Sequence, residues 1–462
     1  MTSLAQSYTP AAGASTTQRQ YFYPECRVVL SVVFENFGDP AAPVVFHVLP
    51  MSVSVCSNGY KEPDTWSVEF DAKDFPVTPE LIRAGSVEIY MYQTRGLGQT
   101  PELVRAKDAP ATGSLKGLAP TVVGLFDQAN LQFSDSGRVA SITGQDYTSL
   151  FIAKGWDVKK SGNGGRVPGG KTLDKVLQIL IDQVDGAKAM SLKVETGDLP
   201  LPVIGKWDGK AHKKGRPVLA GKNYWDVMYE LAIRYGFILF VRNLDIVLTT
   251  PRVYVEGRTQ VKKMTWGRNL TSLRLSRKIG KEQVPIIEVR SYDSKARRTR
   301  KVRYPKNPKQ KAVTGLGTIR EEVRIHTVPG IRTDAHLLQV AETIYHLLGR
   351  AEQQVEFVTR DLVDVEGADM IELRNGDAIA IGLAPNSSDL LEGQNESQRK
   401  RTLVDLGYDQ QVAATIAKGF DQLSVFAHPF RVREATFEWS ADGGLEISVR
   451  CQSFVNISGE QP

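Results

Sequence analysis

Alternation of apolar and polar positions dominates the first third of the chain. CRVVLSVVFENF (Cys26 to Phe37) and VVFHVLPMSVSVC (Val44 to Cys56) are β-branched and partly alternating, the pattern of half-buried strands. TWSVEFD and SVEIYMY follow, separated by the turn-rich AKDFPVTPELIRAG. Val122–Phe126 and Leu131–Phe133 predict strands, Asp135-Ser136-Gly137 a hairpin turn and Val139–Thr143 the return strand. Several short strands at this spacing predict a sandwich or barrel.

The period changes between about Tyr147 and Pro251. Leu173, Val176, Leu177, Leu180, Ile181 and Val184 share one helical face, and Thr172 stands where it can cap the start. NYWDVMYELAIRYG predicts a second helix. Asn223 caps it, Trp225, Met228, Leu231, Ala232 and Tyr235 form its apolar face, and Gly236 supplies the left-handed stop. FILFV, a polar turn at Arg242-Asn243 and DIVLTT predict a hairpin.

Strand character returns at SLRLSRKIG (Ser272 to Gly280) and PIIEVRSYD (Pro285 to Asp293). A long helix is expected from roughly Asp334 to Gln354, striped by Leu337, Ala341, Ile344, Leu348 and Ala351. Asn375-Gly376 between apolar runs is a hairpin signal. RTLVDLGYDQQVAATIAKGF predicts one or two short helices broken at Gly407. The last hairpin turns at Asp442-Gly443-Gly444, with Leu445, Ile447, Val449 and Cys451 alternating on the return strand.

The expected fold is mixed and β-rich (α+β), with two β-barrel-like domains, an α/β insertion and a helical insertion. The boundaries read from the pattern are an arm over 1–20, a first barrel-like domain over 21–146 and an α/β insertion over 147–260. A second barrel-like domain begins over 261–333 and includes a basic loop at 295–311. The long helix and Asn-Gly hairpin occupy 334–385, a polar loop and helical insertion 386–425, and the closing hairpin 426–462. No short-period solenoid repeat is present.

Composition narrows the function classes. The 462 residues are 41% hydrophobic and 24% charged, ordinary for globular protein. No apolar run approaches the ~20 residues of a membrane span. The polar first twenty residues lack the basic and apolar regions of a signal peptide. Three scattered cysteines, Cys26, Cys56 and Cys451, predict neither a disulfide framework nor a zinc site. The six histidines lack ligand spacing, so no metal and no cofactor is expected. The net charge of +6 is mild and does not by itself imply nucleic acid.

Two motifs invite chemistry. Gly165, Gly170, Lys171 and Thr172 fit the P-loop pattern letter for letter, which would make this a P-loop nucleotide-binding protein. The preceding DVKKSGNG cannot build the buried strand from which a phosphate loop hangs, so a glycine-rich loop entering a helix is the better reading. Carboxylates such as Asp226, Glu230 and Asp364 could serve a peptidoglycan hydrolase, but each also reads as a cap, a solvated helix face or a loop residue. The run KARRTRKVRYPKNPKQK (Lys295 to Lys311) holds nine basic residues and no acidic one. Its single aromatic, Tyr304, argues against a stacking platform for single strands. Arg297, Arg298, Arg300, Lys301 and Arg303 therefore read either as a solvated run or as candidates for contact with an acidic partner chain, without tight nucleic-acid binding.

Four stretches together resemble the hub proteins of phage tails and baseplates. That family includes the late control protein D-like proteins of contractile phages and the N-terminal part of type VI secretion spikes. The stretches are DFPVTPELIRAGSVEIYMY, VVGLFDQANLQFSDSGRVASITGQDYTSLF, NYWDVMYELAIRYGFILFVRNLDIVLTTP and SLRLSRKIGKEQVPIIEVRSYDSKARRTR. Their order along residues 65–455 makes the resemblance. It implies a non-enzymatic homotrimer in which two related barrels per chain give a ring of six, adapting a sixfold tail tube to a threefold spike. It also implies partners: the tail tube or a tube-initiator protein, a spike or tail-tip protein and other baseplate proteins, with no membrane. The location implied is the virion tail, after assembly in the host bacterial cytoplasm. No spike-type repeat follows residue 451, so the spike is expected as a separate chain.

Overall fold

The β-branched runs form strands, and 13 of these join one sheet. A computed structural model describes residues 22–35, 43–59, 61–75, 78–95, 119–134, 137–156, 167–168, 170–197, 201–204, 221–250, 261–277, 286–293, 297–304, 313–314, 317–318, 323–328, 331, 333–348, 353–383, 394–423 and 429–453. The first strand-rich region holds Phe22–Phe34 (β1), Val44–Val48 (β2), Pro50–Ser57 (β3), Thr65–Asp71 (β4), Ile82–Arg95 (β5), Val122–Ser134 (β6) and Gly137–Asp146 (β7). Thr148–Ala153 (α1), Leu173–Asp182 (α2), Ser191–Glu195 (β8), Tyr224–Arg234 (α3), Ile238–Arg242 (β9) and Asp245–Thr249 (β10) follow. Next come Lys262–Trp266 (β11), Ser272–Arg277 (β12), Ile286–Asp293 (β13), Arg298–Tyr304 (β14), Val313–Thr314 (β15), Gly317–Thr318 (β16), Val323–Thr327 (β17) and Asp334–Leu348 (α4). Gln353–Thr359 (β18), Ala378–Leu383 (β19), Glu396–Asp405 (α5), Gln410–Leu423 (α6), Phe430–Ser440 (β20) and Gly444–Ser453 (β21) complete the order.

The large sheet has 13 strands. Its main path is β12-β18-β21-β20-β3-β4-β7-β6-β5-β1-β2, with β19 joining at β20 and β11 at β19. The fold is thus β-rich α+β, as expected. The two strand-rich regions meet where β20 pairs antiparallel with β3, from Ala435 opposite Ser57 to Ser440 opposite Ser52. One apolar core runs through both, from Val53, Val68 and Phe70 to Phe357, Phe437 and Ile447.

A five-strand path occurs twice in this sheet: β3-β4-β7-β6-β5 and β12-β18-β21-β20-β19. Each copy contains a hairpin whose first strand bulges at the same place, between Phe126 and Gln128 in β6 and between Val432 and Glu434 in β20. Aligning the bulges aligns every ladder. Ser86 opposite Leu125 matches Ala378 opposite Arg431. Trp66, Val68 and Phe70 fall on Val355, Phe357 and Thr359, all buried. Ser52–Ser57 of β3 falls on Ser272–Arg277 of β12.

The first copy has a tight spot that the second lacks. A Cβ on Gly144 would lie 1.9 Å from the Leu125 carbonyl oxygen and 2.5 Å from Trp66. A Cβ on Gly124 would lie 2.2 Å from the Trp66 indole nitrogen. The indole thus occupies the space that these two side chains would fill, and its Nε1–H donates to the Gln145 carbonyl at 3.3 Å.

A second apolar core lies in the α/β insertion. Leu173, Val176, Leu177, Leu180 and Ile181 of α2 pack with Trp225, Met228, Leu231 and Ala232 of α3. Asn223 caps α3 by accepting from the Asp226 N–H at 2.7 Å, and Gly236 stops it at φ 84°. Trp225 is 1% exposed, stacks obliquely on Phe151 and donates to the Lys61 carbonyl at 3.0 Å. β9 and β10 form the expected hairpin, turning at Asn243-Leu244, and β8 pairs parallel to β10.

Several expectations are corrected. The apolar residues of β13 and α4 do not join the core of the second strand-rich unit. Ile287, Val289, Leu337, Val340, Ala341 and Ile344 pack into the α/β core instead. α4 stops at Leu348, because Gln353–Thr359 alternates Val355, Phe357 and Thr359 inward as β18. Asn375-Gly376 sits in a tight turn closed by the Asp377 N–H to the Arg374 carbonyl at 3.1 Å, but no strand precedes it. Val122–Phe126 and Leu131–Phe133 are one bulged strand rather than two. The break at Gly407, φ 93°, does separate two helices, α5 and α6.

Candidate functional site

The basic run is a strand, not a loop, over Arg298–Tyr304. Lys295, Lys306, Lys309 and Lys311 lie outside the described residues. Arg297 takes a left-handed turn at φ 48° and leads into β14. β14 pairs antiparallel with β13, which pairs parallel with β17, giving a three-stranded sheet. The strand's period of two then sorts its side chains. Arg300, Val302 and Tyr304 turn toward α4: Arg300 lies 3.4 Å from Asp334 at that helix's first turn, and Tyr304 meets Tyr345 edge-on. Thr299, Lys301 and Arg303 point to the opposite face and are exposed.

On that face Glu288 anchors two guanidinium groups. Arg303 Nε donates to one of its oxygens at 2.5 Å and Arg290 Nε to the other at 2.6 Å. The carboxylate is 1% exposed beneath them. These charge-assisted hydrogen bonds, Arg303 first and Arg290 second, hold the Glu288 pKa below its ordinary value. Around the trio stand Lys301 and two exposed apolar side chains, Tyr292 (58% exposed) and Ile325 (56% exposed).

Of the five candidates, then, Lys301 and Arg303 share the outer face, Arg300 faces inward, and Arg297 and Arg298 sit at the turn. Arg290, Tyr292 and Ile325 belong to the same face and were missed. The signal was present: Glu288, Arg290 and Tyr292 recur at a spacing of two, and Glu288 stands opposite Arg303 in the ladder.

The P-loop match is spent on structure. Gly165 lies outside the described residues. The Gly170 N–H donates to the Ile204 carbonyl at 2.8 Å, the Leu173 N–H to Pro202 at 3.0 Å, and Lys171 accepts from Ile204 at 2.8 Å. A phosphate cradle needs such N–H groups free. The expected cap by the Thr172 side chain is also not made.

The candidate carboxylates are likewise engaged. Asp226 lies 3.4 Å from Lys61, and Glu230 lies 2.5 Å from Lys222. Asp364 accepts backbone N–H groups from Lys263, Glu366 and Ala368 at 2.8 Å each. A small cavity of ≈ 50 Å³ opens among Asn58, Asp64, Thr121, Asp146, Arg242 and Arg374. Burial raises the Asp64 pKa to about 6, and burial together with the Asp64 charge raises that of Asp146. Arg374 ties the place together, donating to the carbonyls of Thr121, Ile371 and Leu373 at 2.8, 2.9 and 2.7 Å. Among the described residues no His, Cys, Asp and Glu group gathers as a metal site, and no helix is long and apolar enough to cross a membrane.

No family model matches the chain, and no curated protein does. Solved structures do match. The tail protein from Neisseria meningitidis MC58 is similar at a TM-score of 0.51 and 12% identity, over 93% of this chain and 96% of that one. The 43 kDa tail protein of prophage MuSo2 from Shewanella oneidensis is similar at 0.49 and 10%, over 92% and 97%. The E. coli c3393 protein, a component of the type VI secretion system, is similar at 0.45 and 8%, over 94% and 79%. The resemblance to tail hubs read from the sequence therefore holds at the level of the fold.

Proposed function

We propose that this chain is a structural hub of a bacteriophage tail baseplate, a homotrimer whose ring adapts a sixfold tail tube to a threefold spike. The observation that carries the reading is the doubled five-strand path. Two like units per chain, in three chains, supply six comparable positions around one axis, so a single type of tube subunit can dock on all of them. The shared fold with a tail protein supports the setting.

On this reading the chain performs no catalytic step and needs no cofactor. Its partners are itself, a tube or tube-initiator protein, a separate spike or tail-tip protein and other baseplate chains. It is assembled in the host cytoplasm and resides in the virion tail. The helical inserts stand outside or below the ring, clear of the lumen. The outer face carrying Lys301, Arg303 and Arg290 meets an acidic partner chain. Its mixture of arginine with exposed tyrosine and isoleucine suits a protein interface, where such residues are enriched.

Mass photometry on the purified chain, with and without its spike partner, tests the reading. Particles of three chains are expected. A monomer under both conditions, or a closed ring of six chains, overturns it.

A further inference from the structure

Among the described residues the doubled path leaves two strand edges without a ladder, and they match. Inside the chain, β20 of the second unit uses its far half, Ala435–Ser440, to pair with β3 of the first. The strand equivalent to β20 is β6, and its far half is Ala129–Ser134. β5 pairs with β6 only up to Leu125, and beyond it the outer edge of β6 carries no ladder among the described residues. The strand equivalent to β3 is β12, which ends the sheet.

The side chains on these two edges repeat the chemistry of the internal junction. There, Phe437 stands opposite Val55 and Trp439 opposite Val53, with Phe437, Val55 and Val53 buried. The equivalent residues are Leu131 with Leu275 and Phe133 with Leu273. Phe133 is 66% exposed and Leu275 41%. Both are large apolar side chains left in solvent where their internal counterparts are covered or partly covered. Ala129–Ser134 also lacks the charge or proline that protects a free edge strand.

We propose that β6 of one chain pairs antiparallel with β12 of a second copy, repeating between chains the β20–β3 junction found within each chain. The register copied from that junction sets Ala129 opposite Arg277, Leu131 opposite Leu275, Gln132 opposite Arg274, Phe133 opposite Leu273 and Ser134 opposite Ser272. The contact is heterologous, since each chain offers β6 on one side and β12 on the other. Such contacts close into rings when the rotation permits. Alternating internal and external copies of one junction then give six nearly equivalent seams from three chains. The proposal rests on the trimer reading and adds to it which strands meet and in what register.

A chain carrying Gln132→Cys and Arg274→Cys, oxidised with diamide, tests the register. Directly opposed residues of an antiparallel pair lie ~4.5–5.5 Å apart, within disulfide reach. A covalent trimer is expected on a non-reducing gel. Each single variant, and the off-register pair Asn130→Cys with Arg274→Cys, should cross-link at least about tenfold less. Native mass spectrometry of the same samples separates the two claims. A trimer without the on-register cross-link overturns the strand pairing and leaves the trimer standing. A monomer overturns both. Phe133→Glu provides a second route, since this side chain is 66% exposed in the single subunit. Association should weaken at least tenfold, and an unaffected trimer counts against the seam.

Discussion

The two five-strand units share a backbone path yet fill it differently. In the first, Trp66 lies between Gly124 and Gly144. In the second, the matching positions are Val355, Phe430 and Cys451, all buried. Bulk has moved from the middle strand to its neighbours. A core selects for total volume and complementary shape rather than for particular residues, so two sequences with little in common support one path. The units also differ in what they carry. The α/β insertion follows the first, while the second sends out β13, β14 and α4, which return to pack on that same insertion.

Exchanging volumes between the units gives the largest effect. Gly144→Val should destabilise by more than about 4 kcal/mol, since the added atoms meet both the Leu125 carbonyl and the indole. Cys451→Val, at the equivalent position, should cost under about 1.5 kcal/mol. Urea unfolding measures both, and equal costs would dissolve the contrast. Next comes the attachment of the insertion. Trp225→Ala should cost about 3–5 kcal/mol, because the ring fills the α/β core and holds it to the loop between β3 and β4. A variant of wild-type stability that fails in assembly would instead mark Trp225 as an interface residue.

The acidic joint beside the first unit predicts a pH dependence. Asp64 and Asp146 have folded-state pKa values raised above ordinary, so the native state binds more protons than the unfolded chain. Stability should therefore fall as pH rises from about 4 through about 6 on the Asp64 titration, by about 1–3 kcal/mol. Asp64→Asn should flatten the melting-temperature profile across that window. An unchanged slope would remove the joint from the account.

Smaller effects distinguish the two faces of β14. Arg303→Ser should cost about 1–2 kcal/mol by uncovering Glu288, while Lys301→Ser should stay within about ±0.5 kcal/mol. Thermal melts of the two single variants give the comparison. Lys171→Ala should also stay within about ±0.5 kcal/mol, and isothermal titration with Mg²⁺-ATP should give no heat. Micromolar binding abolished by that substitution would restore the phosphate-loop reading.

What could be read from the sequence was whatever one element states about itself. The stripe of α3, its cap at Asn223 and its stop at Gly236 are local, and all three stand. The alternation of β20 and β21 around their turn is equally local. The pairing of β20 with β3 is not, because nothing in either strand names a partner hundreds of residues away. For the same reason the apolar residues of β13 indicated a strand without indicating which core they would enter. β14 was hidden differently. Its arginines read as a solvated run because the carboxylate that neutralises two guanidiniums lies in the neighbouring strand. The Asp64–Asp146 joint was missed because its members come from separate turns and meet only in the fold.

The β20–β3 junction has a consequence for synthesis. Thr436 meets Cys56 across 380 positions of chain. At ~5–20 residues per second, a ribosome needs roughly 20–80 s to deliver the partner strand after β3 has emerged. Through that interval the nascent chain displays an uncharged strand edge on an otherwise foldable unit. Such an edge invites pairing with neighbouring nascent chains, so slow translation or premature termination before Phe430 should yield sticky fragments rather than a usable half.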